Sequence, residues 1–277
     1  MHSFLKYLLL TSIVFFSVAS NAKASSVRQG EDGLVFGLLP FMSPISLFKR
    51  FAPLRDYIMQ NANEEIVFET ANGFDEFVAR TKKKQYDIIL TAPHFVNSAI
   101  DTGHYKLLAT FKSPLSANIL VRGNSEIRDV KDLRGKKIGH APETAFIPVI
   151  GRKYLDKVGL KGEKAPVYKS YRTHNAAYHA LTAGEIEAAI IGPYLVKNAI
   201  EKDGLRLIAK SNDFPSIAVL GSKRVSTTTL DKISKTLIGM ENTPEGSLAL
   251  TQMSCPGFRE ASNTEFNVLR TYLSSLD

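Results

Sequence analysis

The feature that most constrains the fold is a strand–helix–strand–helix–strand order that occurs twice along the chain. The first set runs from an apolar strand over Gly33–Leu39 to a buried strand over Tyr86–Leu90. The second set runs from Lys137–Gly139 to Ile186–Ile191. Alternating strands and helices favour sheets of mainly parallel strands with helices on their faces. Two such sets in one chain predict an α/β protein with two open sheets.

Helical periodicity fills the segments between these strands. Apolar residues recur at helical spacing over about Ile45–Asn61, and Pro53 inside this stretch leaves either a kinked helix or two short ones. Asn72 is predicted to cap the next helix. In the second set, helices are expected over Thr144–Val158 and from Thr173 or His174 to Ala183.

Two further strands, over Ile119–Arg122 and Ile217–Gly221, predict how the chain passes between the sheets. The C-terminal helices are expected to pack on the first half, so that the chain crosses twice, near Ser113–Asn118 and Asp213–Ala218. The predicted lobes are residues 25–115 with 219–277, and residues 116–218. Ligands of open α/β sheets bind at the carboxyl ends of the strands, so the lobes should share one cleft.

The N-terminus predicts a cleaved signal peptide over residues 1–24. Lys6 precedes an apolar run over Tyr7–Val18, and Ala22-Lys-Ala24 matches a small-residue cleavage site. A membrane anchor is the alternative, but the run is short for a spanning helix, which needs about 20 residues. We therefore predict export to the periplasm.

Charge and cysteine content exclude several classes of protein. The formal net charge is +8, but the positive residues are scattered apart from Lys82-Lys-Lys84, so nucleic-acid binding is not predicted. Cys255 is the only cysteine, which excludes an intramolecular disulfide and multi-cysteine metal sites. We expect Cys255 to be a partly buried structural thiol.

Catalytic motifs are missing from the sequence, which has no G-x-S-x-G, H-E-x-x-H or Walker loop. His174 and His179 are five residues apart and do not share a helix face as a metal-binding pair would. We predict a monomeric binding protein that is not an enzyme and uses no metal or cofactor. An exported enzyme on the same fold is the remaining alternative.

The most informative loop follows the first strand of the second set. A short charged helix ends at Gly135, and a strand follows over Lys137–Gly139. The next helix starts near Thr144, and its first backbone N–H groups point towards the loop that joins it to the strand. Helix N-termini favour anions. The loop is therefore predicted to be suited to an anion.

Several short motifs follow one another in a specific order: Gly37-Leu-Leu-Pro40 with Ser43-Pro44, Tyr86-Asp-Ile-Ile-Leu90, Val130-Lys-Asp-Leu-Arg-Gly-Lys-Lys-Ile138, Thr173-His-Asn-Ala-Ala177 and Gly184-Glu-Ile-Glu-Ala-Ala189. Their order resembles the phosphate, phosphite and phosphonate substrate-binding proteins of ABC transporters, over nearly the whole mature chain. The resemblance implies a type II periplasmic binding fold. In that fold, each lobe is an open mixed sheet flanked by helices, and a hinge of two crossings joins the lobes.

The resemblance also implies which residues contact a ligand between the lobes. The family's loop for phosphonate oxygens corresponds to Pro142-Glu-Thr-Ala-Phe146. The His of its Ser-His-x-Ala-Ala motif corresponds to His174, and the acid of its Val-Asp-Ala-Ala motif corresponds to Glu187. The predicted ligand-binding residues are Pro40, Ser43, Thr91, His94, Glu143, Thr144, Ala145, His174, Glu187 and Tyr194.

Four of these residues have structural alternatives. Glu143 either repels a bound anion or caps the following helix. His174 either donates to an oxyanion or caps its helix. Glu187 either binds an amine or an interlobe cation, or is a plain surface acid, and Tyr194 either lines the pocket or packs as an aromatic.

The predicted function is that of an exported solute-binding protein, which holds a small phosphonate-like or other oxyanion and delivers it to the permease of an ABC transporter. The alternative is a periplasmic protein that presents its ligand to a membrane sensor kinase. Closure of the lobes on the ligand serves either role.

Overall fold

The computed structural model describes residues 33–274, so the predicted signal peptide lies outside the described residues. The strands are β1 (Leu34–Leu38), β2 (Ile66–Glu69), β3 (Ile88–Thr91), β4 (Tyr105–Phe111), β5 (Asn118–Arg122), β6 (Lys137–His140), β7 (Val167–Ser170), β8 (Ala188–Ile191), β9 (Leu205–Lys210), β10 (Ala218–Ser222) and β11 (Phe258–Arg259). The α-helices are α1 (Pro44–Ala62), α2 (Phe74–Lys82), α3 (Pro93–Asp101), α4 (Phe146–Lys157), α5 (His174–Thr182), α6 (Pro193–Glu201), α7 (Thr227–Gly239), α8 (Pro244–Gln252) and α9 (Asn263–Ser274).

The strands form two mixed sheets, which confirms the predicted α/β class. The first has the order β11-β4-β10-β3-β1-β2, and the second has the order β7-β6-β8-β5-β9. In the first sheet β1 lies parallel to β2 and β3, and in the second β6 lies parallel to β7 and β8. The carboxyl ends of the parallel strands in each sheet therefore meet at one edge.

Each sheet contains an antiparallel strand that lies, in sequence, next to a segment where the chain passes from one sheet to the other. Strand β10 follows the second set in sequence but pairs with β3 and β4 of the first sheet. Strand β5 precedes the second set and pairs with β8 and β9. Leu115 and Phe214, in the two predicted crossing segments, exchange backbone hydrogen bonds of 3.0 and 2.9 Å. The exact lobe boundaries stay a prediction.

Helices α2 and α4 start at other residues than the sequence predicts, and α4 begins at Phe146 instead of Thr144. Helix α1 is one helix that continues through Pro53, with Pro44 in its first turn and Ser43 as N-cap. Helix α2 begins at Phe74 with Gly73 as N-cap, so Asn72 is not the cap. Asn72 lies one residue too early, and its side chain and backbone N–H donate to the carboxylate of Glu76 instead.

The central strands of both sheets are buried, and β3 and β8 are buried along their whole lengths. Cys255 is partly buried, as predicted, and burial raises the pKa of its thiol to about 11. Among residues 33–274, none of the helices combines the length and apolar character needed to cross a membrane.

Candidate functional site

A small, partly open cavity, named here the inner cavity, lies between the carboxyl ends of the two sheets. The space open to the centre of a water molecule is about 40 Å³. The wall contains ten apolar and three polar residues: Leu39, Phe41, Phe74, Leu90, Ala92, Leu115, Ala145, Phe146, Ile147 and Ile217, with Thr91, His174 and Tyr194. None of these side chains carries a formal charge at neutral pH.

All six parallel strands of the two sheets lead into this wall. The first sheet contributes through the segments after β1, β2 and β3, and the second through the segments after β6, β7 and β8. Pro93 and Pro193 occupy the first position of α3 and α6, where the missing N–H of proline costs no helical hydrogen bond. These early prolines start each helix at the strand end, and in α6 the next residue, Tyr194, lines the cavity.

Three polar atoms of the wall are buried without a hydrogen-bond partner. They are Thr91 Oγ1, His174 Nδ1 and the hydroxyl of Tyr194. Thr91 and His174 are 1% and 3% exposed. Buried polar groups in folded proteins are normally paired, so these three atoms indicate a place for a ligand or water.

The ionisation of the wall follows from its burial. Desolvation lowers the pKa of His174 to about 4, and the neighbouring His140 adds to this shift, so the imidazole is neutral at pH 7. Burial also raises the pKa of Tyr194 well above its usual value, against the opposing effect of Arg50. Both His174 and Tyr194 are therefore neutral hydrogen-bonding groups at pH 7.

His94 joins the first sheet to the loop that follows β6. Its Nε2 lies 3.0 Å from the carbonyl oxygen of Thr144, and its ring stacks on Phe146 with centroids 5.3 Å apart. Desolvation lowers the pKa of His94 to about 4. At neutral pH the ring is therefore uncharged, and the Nε2 tautomer donates this bond between the lobes.

Aromatic contacts close the cavity on the side of α6. The ring of Tyr194 meets Phe41 edge to face at 5.7 Å, and the guanidinium of Arg50 lies 5.0 Å from the centroid of the Tyr194 ring. Arg50 also donates to the carbonyl of Ser254 at 3.2 Å. Tyr194 therefore contacts two residues of the other predicted lobe, Phe41 and Arg50.

A larger and more polar space, named the outer cavity, lies next to the inner one and shares Phe74 with it. Its volume is about 550 Å³. The residues around it come from the segments before α1, α2, α4 and α5: Pro40, Met42, Ser43, Pro44, Ala71, Asn72, Gly73, Phe74, Asp75, Glu76, Pro142, Thr144, Arg172 and Thr173.

The structure groups most of the predicted site residues but separates two of them. Thr91, Ala145, His174 and Tyr194 line the inner cavity, whereas Pro40, Ser43 and Thr144 line the outer cavity. His94 lies between them, bonded to Thr144.

Glu143 and Glu187 are not brought to either cavity wall. Glu143 forms an ion pair with Arg152 and lies 3.4 Å from Nε2 of His140. Glu187 stands at the amino-terminal end of β8, opposite the site, and its carboxylate accepts from the N–H of Lys137 at 2.8 Å. Glu187 therefore fastens β8 to β6 and is not placed to bind a ligand.

Of the apolar residues in the wall, the sequence predicted only Ala145 as a ligand-binding residue. Phe41, Phe146 and Ile147 also line the inner cavity and are not among the predicted residues. The one usable signal was the run Ala145-Phe-Ile147, which puts apolar residues at a helix start where a ligand loop was expected.

Comparisons with known proteins agree with this arrangement. A family model described as ABC transporter, phosphonate, periplasmic substrate-binding protein matches residues 36–266. PhnD1 of Prochlorococcus marinus, solved in complex with methylphosphonate, has a TM-score of 0.77 at 13% identity, covering 88% of this chain and 97% of that one. A binding protein component of an ABC phosphonate transporter from Pseudomonas aeruginosa has a TM-score of 0.74 at 14% identity, covering 86% and 84%.

A third similar structure carries a different ligand. It is a Xanthomonas citri protein solved with bound ATP, with a TM-score of 0.65 at 13% identity, covering 86% of this chain and 94% of that one. At such identities the structural likeness supports the fold, which is the type II periplasmic binding protein fold.

Proposed function

The chain belongs to the periplasmic substrate-binding proteins of phosphonate ABC transporters, and from this membership we propose that it holds one small ligand in the inner cavity and delivers it to a permease. Delivery to the permease and action as a monomer in the periplasm are parts of this proposal. The family provides the general role, and the residues of this chain provide the site.

The observation that carries the proposal is the set of unpartnered polar atoms in the inner cavity. Thr91 belongs to the first sheet, whereas His174 and Tyr194 follow strands of the second. A ligand that hydrogen-bonds to Thr91 and to either of the others bridges the two sheets. Such a ligand stabilises the closed arrangement over any open one, which is the differential affinity that ligand-driven closure requires.

The contact between His94 and Thr144 supports the same role. It reaches from α3 of the first lobe to the loop that starts α4 in the second. A single hydrogen bond contributes about 1 kcal/mol, which favours closure without locking it. Ligand binding then adds the larger share of the closing free energy.

The proposal is tested by thermal-shift screening of the mature protein against phosphonates, inorganic oxyanions, small zwitterions and small uncharged molecules. A ligand at about 100 times its Kd stabilises the folded state by about 2.7 kcal/mol, which corresponds to a rise in Tm of about 5–10 °C. An authentic ligand should lose this effect in Ala145→Leu, which fills the cavity. It should keep the effect in Ala183→Leu, a matched change at an exposed position after α5.

Delivery is tested with the same ligand. Proteoliposomes that contain the cognate permease and ATPase should take up the radiolabelled compound only when this protein is present outside. A screen in which no compound of any class raises the Tm contradicts the solute-binding role. Binding without uptake contradicts delivery.

A further inference from the structure

The loop that follows β6 offers the inner cavity few side-chain groups that suit an oxyanion. Helix α4 begins after Ala145 without a side-chain cap, and the wall beside it is formed by Ala145, Phe146 and Ile147. The only hydroxyl of the loop belongs to Thr144, which lines the outer cavity, and the carbonyl of Thr144 already accepts from His94. The side chains that this loop presents to the inner cavity are therefore hydrophobic.

Among the described residues, none that lines the inner cavity carries a positive charge. Arg50 contacts the wall from outside, where its guanidinium lies over the ring of Tyr194 and donates to Ser254. His174 is neutral because burial disfavours its charged form. An anion in the cavity would exchange most of its hydration for apolar carbon. The uncapped start of α4 favours an anion, but a helix end offsets only part of the cost of burying an unpaired charge.

The hydrogen-bonding capacity of the wall fits an uncharged ligand. The Thr91 and Tyr194 hydroxyls can each donate one hydrogen bond, and Nδ1 of His174 donates or accepts according to its tautomer. These few groups suit a molecule with one or two polar atoms. A phosphonate has three oxygens that share its charge, and each of them needs more than one donor when buried.

The size of the cavity limits the ligand further. One water occupies roughly 10–15 Å³ of the space measured in this way, so 40 Å³ corresponds to about three waters. A compact molecule of a few non-hydrogen atoms fills such a space.

We propose that the inner cavity selects a small uncharged molecule, with an apolar body and one or two hydrogen-bond-accepting oxygens, in place of the oxyanion predicted from the sequence. This inference rests on the proposed solute-binding function and names the ligand class of the same site. The ten apolar residues of the wall contact the body of the ligand. Thr91 and Tyr194 donate to its oxygens and connect the two lobes through it.

Three tetrahedral probes of nearly equal size and shape distinguish the effect of ligand charge on affinity from the effect of ligand size. Dimethyl sulfone is uncharged, methanesulfonate carries one negative charge, and methylphosphonate carries up to two. In calorimetric titrations of the mature protein at pH 7, dimethyl sulfone should bind at least about tenfold more tightly than methanesulfonate, and methylphosphonate should bind most weakly. Tighter binding of methylphosphonate than of dimethyl sulfone overturns the proposal, and so does failure of dimethyl sulfone to bind.

A pair of matched variants connects the result to the cavity. Tyr194→Phe removes one donor from the wall and should weaken dimethyl sulfone binding about tenfold, the effect of one hydrogen bond. Tyr171→Phe removes another buried, unpartnered hydroxyl that is absent from the wall, and it should leave the affinity unchanged. Equal effects of the two variants contradict the assignment to the inner cavity.

The outcomes distinguish this inference from the proposed function. If methylphosphonate binds best, the uncharged ligand class is wrong but the solute-binding function stands. If no compound in the broad thermal-shift screen binds, the function itself fails.

Discussion

The two sheets can be compared residue by residue, because many of their equivalent positions are 100 residues apart in sequence. Asp87 and Glu187 stand just before β3 and β8. The N–H of Val35 donates to Asp87 at 2.9 Å, and the N–H of Lys137 donates to Glu187 at 2.8 Å. The strand starts of the two halves are therefore fastened in the same way.

The carboxyl ends of the same strands differ. Phe74 begins α2 where His174 begins α5, and His94 follows Pro93 where Tyr194 follows Pro193. The two halves thus have the same order of strands and helices but different side chains at the cavity. The difference shows that the fold depends on strand starts and buried strands, and that the ligand chemistry depends on a few residues at the strand ends.

The largest expected effect is on the pH dependence of stability, and it comes from the difference between Phe74 and its equivalent, His174. In the unfolded chain His174 takes up a proton near pH 6.5, whereas in the folded protein its pKa is about 4. Stability is therefore complete above pH 6.5 and falls as the pH drops towards 4, by about 3 kcal/mol for this residue alone. His174→Phe, which copies the first half, should remove that part of the pH dependence in urea unfolding followed between pH 7 and 4.5.

The reverse substitution, Phe74→His, tests the same difference from the first half of the chain. Phe74→His places an imidazole at the equivalent buried helix start, where desolvation and the helix dipole both disfavour its charge. It should steepen the loss of stability below pH 6.5. Because carboxylates titrate in the same range in every variant, only the difference from the wild type is interpreted. Parallel curves for the wild type and His174→Phe would show that the buried imidazole does not limit acid stability.

An intermediate effect is expected at the equivalent glycines Gly37 of β1 and Gly139 of β6. A Cβ on Gly37 would lie 2.7 Å from the ring of Tyr86, which is fully buried and stacked on Phe77. A Cβ on Gly139 would press mainly on Cδ1 of Ile186, the end of a flexible side chain. Gly37→Ala should therefore lower the free energy of unfolding by about 2 kcal/mol, and Gly139→Ala by about 1 kcal/mol. Urea denaturation measures both, and a larger loss for Gly139→Ala would reverse the ranking of the two strands.

The smallest effect is expected at the N-caps of α2 and α5. Thr173 accepts from the N–H of Ala176 at 3.1 Å, whereas Gly73 at the equivalent position offers no side chain. Thr173→Ala should lower the free energy of unfolding by about 1 kcal/mol, and Gly73→Thr should raise it by a few tenths of a kcal/mol, because a cap changes only one helix end. Space is available at Gly73, since no atom lies within 4 Å of a Cβ built there. Destabilisation by Gly73→Thr would show that glycine is required at this position.

The fold was largely predictable because its signals are local. Buried strands such as Ile186–Ile191 and the Gly and Pro residues that limit them lie within short windows of sequence, and the structure places β8 at Ala188–Ile191. Single-residue bounds were less secure. Asn72 and Gly73 both suit a helix start, and the backbone geometry at Gly73 decided between them.

The site was predictable only in part. Thr91 ends β3, and His174 and Tyr194 lie in the first turns of the helices that follow β7 and β8, so their place at the cavity could be predicted from the strand ends. Glu187 could not be placed correctly by motif alone, because the motif does not state which end of the strand its acid occupies. Phe41 and Phe146 line the same cavity although they lie about a hundred positions apart, so no short window of sequence shows that they are neighbours.

Hydrophobic periodicity and turn residues act over short distances, so the two-sheet α/β architecture and the crossings between the sheets could be predicted without coordinates. The order of the short motifs added the resemblance to a binding-protein family. The groups that the cavity offers a ligand could be identified only from the folded arrangement of the side chains. Charge, burial and hydrogen-bond satisfaction are properties of a three-dimensional neighbourhood. Glu143 lies within two residues of Ala145 in the chain but pairs with Arg152 outside the cavity, whereas Thr91 and Tyr194 meet across it.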